Sequence, residues 1–156
     1  MEKINISSPL RSMPYALSNK KITLMIFLLS FAGFLVSTYI TIHGLNRTIP
    51  PCTVTHGCET VLTSQFATVG PIPIAAFGAG FFITMMILSI LYLQHNQKTF
   101  LRLLFALASL AFIAGLGLIY IQAVILKAFC QFCLLAELII ALIFILTLIL
   151  FFRKKN

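Results

Sequence analysis

Four stretches of about 20 residues or more, almost free of charge, dominate this chain. They cover residues 22–42, 74–93, 103–126 and about 129–152. A helix of ~20 apolar residues crosses a hydrocarbon core of ~30 Å, so each stretch is long enough to span a bilayer. Helices are expected rather than barrel strands, because the runs lack strict alternation and a helix satisfies its own backbone in lipid. The remaining composition agrees, with 60% hydrophobic residues among 156 and only eleven basic and three acidic side chains. An ordinary soluble domain is excluded, and no segment outside the runs is long enough to bury a core of its own. The first run exceeds the length of a signal-peptide core and has no small-residue cleavage site after it, so it is read as a permanent helix.

Charge sets the expected orientation. Lys3, Arg11, Lys20 and Lys21 precede the first run, Lys98 and Arg102 separate the second and third, and Arg153, Lys154 and Lys155 follow the fourth. Only Arg47 and Lys127 fall on the other side. By the positive-inside rule both termini are cytoplasmic. The net charge of +8 therefore reads as topology rather than as a nucleic-acid surface, since the basic residues gather at run ends and form no single patch.

The expected architecture is an all-α integral membrane protein, an up-down bundle of four transmembrane helices. Residues 1–19, with Ser7, Ser8, Pro9 and Pro14, read as a disordered cytoplasmic tail, and residues 20–156 as one membrane domain. The long loop between the first two spans is expected to cap the outer end of the bundle. Pro50-Pro51, Gly57 and Gly70-Pro71-Ile72-Pro73 punctuate it, leaving Cys58–Phe66 room for one or two helical turns. Pro73 suits the start of the second span. Small residues in the second and third spans, among them Gly78, Ala79, Gly80, Ala114, Gly115 and Gly117, suggest close helix packing or room for a flat ligand.

Chemistry rests on two cysteine pairs. Cys52 and Cys58 lie in the long loop, while Cys130 and Cys133 form a Cys-Gln-Phe-Cys motif at the start of the last run. The charge argument puts all four on the extracytoplasmic side, where disulfides persist. Residues three apart on a helix share a face, and a helix N-terminus favours a thiolate. Two adjacent dithiols suggest a relay of two electrons by thiol–disulfide exchange, which needs direct sulfur-to-sulfur contact. The alternatives are structural thiols, a loop staple, or zinc; no metal site is expected. Glu137, four residues after Cys133, is an ionisable group within a span and a functional candidate by default. It supplies a proton or hydrogen bond to a redox ligand, bonds a neighbouring helix, or reaches the surface. His43 and His56 read as interfacial and loop residues. With no nucleotide loop, haem or iron–sulfur ligand set in view, a membrane quinone is the electron acceptor reached by elimination.

The run from Cys52 through Gly57-Cys58-Glu59-Thr60-Val61-Leu62-Thr63-Ser64, then Ile72-Pro73, then Cys130-Gln131-Phe132-Cys133, resembles the vitamin K epoxide reductase family. It looks most like the bacterial homologues that act as quinone-linked disulfide-forming oxidases, over about residues 22–152. The resemblance implies that Cys52 exchanges with a soluble thioredoxin-fold partner, a periplasmic oxidase of the DsbA type. Cys58 would then attack the Cys130–Cys133 disulfide at Cys130, Cys133 would face a quinone of ubiquinone or menaquinone type, and Ser64 would help position the ring. The setting implied is a bacterial inner membrane. Leu134-Leu135-Ala136 stands where the animal enzymes carry Thr-Tyr-Ala, and 74–93 lacks their asparagine, which argues against epoxide reduction. The chain ends at Asn156, so the partner is expected as a separate protein. A DsbB-type oxidase carries its Cys-x-x-Cys in the earlier outer loop, the reverse of the order here. A small four-span transporter or assembly factor with structural cysteines is the rival from another class.

Overall fold

The apolar runs become helices because a chain stripped of water partners must pair its backbone internally. The computed structural model describes residues 9–46, 48–52 and 57–155, with side chains described over 19–154 of that set. In order these form α1 (Pro9–Leu45), α2 (Cys58–Leu62), β1 (Thr68–Val69), β2 (Ile72–Pro73), α3 (Ile74–His95), α4 (Lys98–Tyr120), and α5 (Gln131–Lys155). A π-helical segment, Ile121–Leu126, continues α4. Four stretches are long and apolar enough to cross a membrane: Asn19–Leu45, Ile74–His95, Lys98–Leu126 and Gln131–Lys154. Each runs past an expected limit at one end or both, because helical hydrogen bonding continues through polar ends such as Lys98 and Arg102.

One expectation needs correction and another gains a detail. Residues 9–19, read as disordered tail, extend α1 backward to Pro9. A proline at a first helical turn forfeits no bond, since that N–H has no intrahelical partner. The fold is also not purely helical. Val69 pairs with Ile72 and Thr68 with Pro73 in a two-strand antiparallel ladder. Gly70 makes this tight reversal possible, with φ at +63°, a region that side-chain-bearing residues avoid.

Helix α1 lies against α3 and α5, and α4 lies against α5 and α3. The buried interior holds Ile26, Phe82, Met85, Leu104, Ile143 and Leu150, while Leu28, Leu110, Ile113 and Phe152 point outward. Apolar side chains on every face are what a lipid-embedded helix requires. Several buried hydroxyls are satisfied within their own helices: Ser30 donates to the Ile26 carbonyl and Ser89 to that of Met85, each at 2.7 Å.

Small residues set the α1–α3 contact. A Cβ on Gly33 would overlap the Phe82 ring, one on Gly78 would lie 3.1 Å from Ser37 Oγ, and one on Gly44 would lie 3.2 Å from Pro73 Cγ. Close backbone approach is the usual basis of helix association in lipid. Gly80 and Gly117 meet nothing within 4 Å, so the packing explanation covers only part of the small-residue cluster. At the C-terminal ends of α3 and α5, Lys154 Nζ donates to the Asn96 carbonyl at 2.6 Å and to Asn96 Oδ1 at 2.9 Å. The same ammonium sits 4.8 Å above the Tyr92 ring.

Candidate redox site

The two cysteine pairs meet where α2 settles on the turn leading into α5. Cys52 and Cys58 are joined by a disulfide, with Cα atoms 6.2 Å apart. Residues 53–56, including His56, lie outside the described residues. Cys58 is the first residue of α2 and only 1% exposed, whereas Cys52 is half-buried. One residue of this pair is therefore hidden and the other partly exposed.

Gly57 makes the docking possible. A Cβ there would lie 2.7 Å from the Phe129 nitrogen, 2.8 Å from the Phe129 oxygen and 3.0 Å from Ala128 Cβ. Its φ of −93° is open to any residue, so space rather than backbone conformation requires glycine. The result is one buried cluster of Cys58, Val61 and Cys130, with Cys52, Leu62, Leu126, Ala128, Phe132 and Cys133 packed against it.

Cys130 lies one residue ahead of α5 and of the span that begins at Gln131, fully buried. Its carbonyl accepts the Leu134 N–H at 3.0 Å, and its sulfur accepts the Cys133 N–H at 3.4 Å. Both bonds mark it as the cap residue of the helix. Cys130 and Cys133 are free thiols. The side-chain hydrogen bond from Cys133 draws the Cys130 thiol down from 9.0 to about 7, against burial, which pushes it up.

Behind Cys133 opens a cavity of about 510 Å³. Cys133, Glu137, Gln122 and Ser64 stand in its wall among mostly apolar neighbours such as Phe77 and Phe81. Ser64 Oγ donates to the Val61 carbonyl at 2.7 Å. Glu137 is turned toward α4, where a Cβ on Gly115 would overlap its carboxylate. Glu137 therefore faces both the cavity and the neighbouring helix α4. His43 pairs with Thr48, 2.8 Å from Nδ1 to Oγ1, and stacks edge-on with Tyr39.

The four sulfurs thus run in order: Cys52 half-exposed, Cys58 and Cys130 sealed together, and Cys133 at the cavity. Two contributors were missed from the residue pattern. Gly57 looked like one turn residue among several. Gln122 is the one amide side chain in an apolar run, the same kind of signal that drew attention to Glu137.

No curated protein matches the chain. Residues 24–148 match the vitamin K epoxide reductase family, whose members are membrane oxidoreductases that use quinones and thioredoxin-fold redox partners. That match takes in all or most of each of the four apolar helices, both cysteine pairs and the cavity behind Cys133, and the chain belongs to the vitamin K epoxide reductase family.

Proposed function

We propose that this protein is a quinone-linked thiol oxidase that reoxidises a soluble thioredoxin-fold partner, of the DsbA type, and so supports disulfide formation. The setting proposed is a bacterial inner membrane, with an up-down bundle, both termini cytoplasmic, and the 43–73 loop capping the outer end. Nine basic residues on one side against two on the other favour that orientation. The observation that carries the reading is the order of the sulfurs, from half-exposed Cys52 to cavity-lining Cys133.

The exchange steps follow from that order. A partner thiolate attacks Cys52, forming a partner–Cys52 bond and releasing Cys58 as thiolate. The partner's second thiolate then resolves this bond, leaving with its own disulfide and leaving two electrons on Cys52 and Cys58. Cys58 attacks Cys130 of an inner Cys130–Cys133 disulfide, and Cys133 departs as thiolate. Cys52 next attacks Cys58, re-forming the loop disulfide and releasing Cys130. Loop pair oxidised with inner pair reduced is the arrangement this sequence of steps produces.

A mostly apolar cavity with a thiol in its wall fits a flat, lipid-soluble quinone, which when bound takes up two electrons and two protons. Around it Cys133 holds the thiol, Glu137 holds a proton one turn further along α5, and Ser64 offers oxygen lone pairs.

Mixed-disulfide trapping tests this reading. The Cys58→Ala variant leaves Cys52 without its internal partner, so oxidised thioredoxin-fold protein should accumulate as a covalent adduct at Cys52. Membranes with the unaltered chain should also reduce added quinone when given reduced partner. Failure of both measurements would refute the oxidase reading.

A further inference from the structure

Gln122 is 4% exposed inside a span, and several backbone N–H groups converge on it. Its backbone carbonyl accepts the N–H of Lys127, which closes the π-helical segment, and that of Ala128 at 3.1 Å. Its side-chain Oε1 accepts the Cys130 N–H at 3.0 Å. Lys127 sits in the left-handed region, φ +49°, at the point where the chain reverses between the two bonded ends. One residue thereby anchors the whole turn that delivers the Cys-x-x-Cys.

The arrangement is a capping box with one arm rerouted. In the usual box the cap side chain accepts the N–H three residues on, and that third residue's side chain accepts the cap N–H in return. Here Cys130 Sγ accepts the Cys133 N–H, but position three is itself a redox cysteine with no carbonyl to return. Gln122, eight residues upstream, supplies the missing acceptor.

We infer that Gln122 is a positioning residue for the inner dithiol, holding Cys130 as the helix cap with its sulfur on the Cys133 N–H. This inference rests on the reading of Cys130 and Cys133 as a redox pair. Its chemical use lies in the resolving step, where Cys52 attacks Cys58, the Cys52–Cys58 bond forms, the Cys58–Cys130 bond breaks, and the electron pair stays on Cys130. A leaving sulfur that is stabilised as thiolate departs faster, which commits the electrons inward. The titratable groups around Cys130 are Cys133 on its own helix and, one turn beyond, Glu137; Cys58 from α2 is tied in its disulfide, and Gln122 is uncharged.

The test is the pH profile of ultraviolet thiolate absorbance on the full chain in detergent, with the Cys52–Cys58 disulfide intact, the inner pair reduced, and neither partner nor quinone present. Gln122→Met matches the length but lacks the acceptor. It should raise the thiolate midpoint by about one unit and cut the thiolate fraction at pH 6 about tenfold. Gln122→Asn falls one methylene short of the bond and should behave the same way, which covers the case that the Met variant fails to fold. Amide hydrogen exchange on the unaltered protein reads the bond directly, with the Cys130 N–H expected to be protected. An unshifted midpoint in a folded variant, or a freely exchanging Cys130 N–H, overturns the inference. Neither result touches the oxidase reading, which the trapping experiment decides separately.

Discussion

Adding one methyl group at Gly57 separates transfer between the two cysteine pairs from entry at the first. Alanine accepts the Gly57 backbone geometry, φ −93° and ψ 0°, so the change brings no conformational strain of its own. Its Cβ, however, would lie 2.7 Å from the Phe129 nitrogen, where ordinary contact begins at 3.4 Å. The obstruction is backbone, which cannot swing aside as a side-chain tip would. The loop must therefore lift by roughly 0.7 Å, and Cys58, the next residue, lifts with it. A misplacement of about 1 Å costs a reaction between positioned groups on the order of a hundredfold. Gly57→Ala should therefore slow electron transfer from the loop dithiol to Cys130 about a hundredfold. Adduct formation between partner and Cys52 should stay near the unaltered rate. Rapid-quench alkylation after mixing with reduced partner follows both pairs in a single run. Unimpaired transfer in a variant shown by mass to carry the alanine would refute the claim that close docking of α2 enables the exchange.

Other outcomes follow from the same geometry. Glu137→Gln keeps the side-chain size but removes the proton, and should lower quinone reduction about a hundredfold while leaving exchange at Cys52 intact, as stopped-flow absorbance with reduced partner would show. Gly33→Ala drives a methyl group into the Phe82 ring and should destabilise the α1–α3 pair by about 1–3 kcal/mol, read as a lower unfolding midpoint in detergent titration. In a chain whose only cysteine is Cys52, a membrane-impermeant maleimide added to intact cells should label that sulfur. Labelling only after lysis would reverse the proposed orientation.

Much of this layout is legible in the chain before any coordinates. The four spans are carried by hydropathy over long windows, a signal that each residue reinforces and no single one can spoil. The cysteine pairs stand out because thiols are rare and their spacing is suggestive. The turn that joins the pairs is not legible in the same way. The π-helical register at Ile121–Leu126 differs from an α-helix by one residue per bond, and nothing in Ile-Gln-Ala-Val-Ile-Leu distinguishes the two. The role of Gly57 depends on a neighbour more than 70 positions away, the Phe129 backbone, which local pattern cannot supply. The β1–β2 ladder is two residues per strand, too short for any alternation to register, although Gly70-Pro71 did mark its turn. Residues 9–19 are polar and contain two prolines, so composition argued for a tail where the backbone continues α1.

The sealing of Cys58 and Cys130 has one further effect. While the loop disulfide is closed, a small soluble thiol finds Cys58 and Cys130 covered and Cys52 only half-buried. In the proposed oxidase, electrons would therefore enter and leave through separate doors, one shaped by a protein and the other by a lipid-borne ring. Selection can retune either doorway without disturbing the other, because what passes between them is the same pair of electrons whatever stands at the ends.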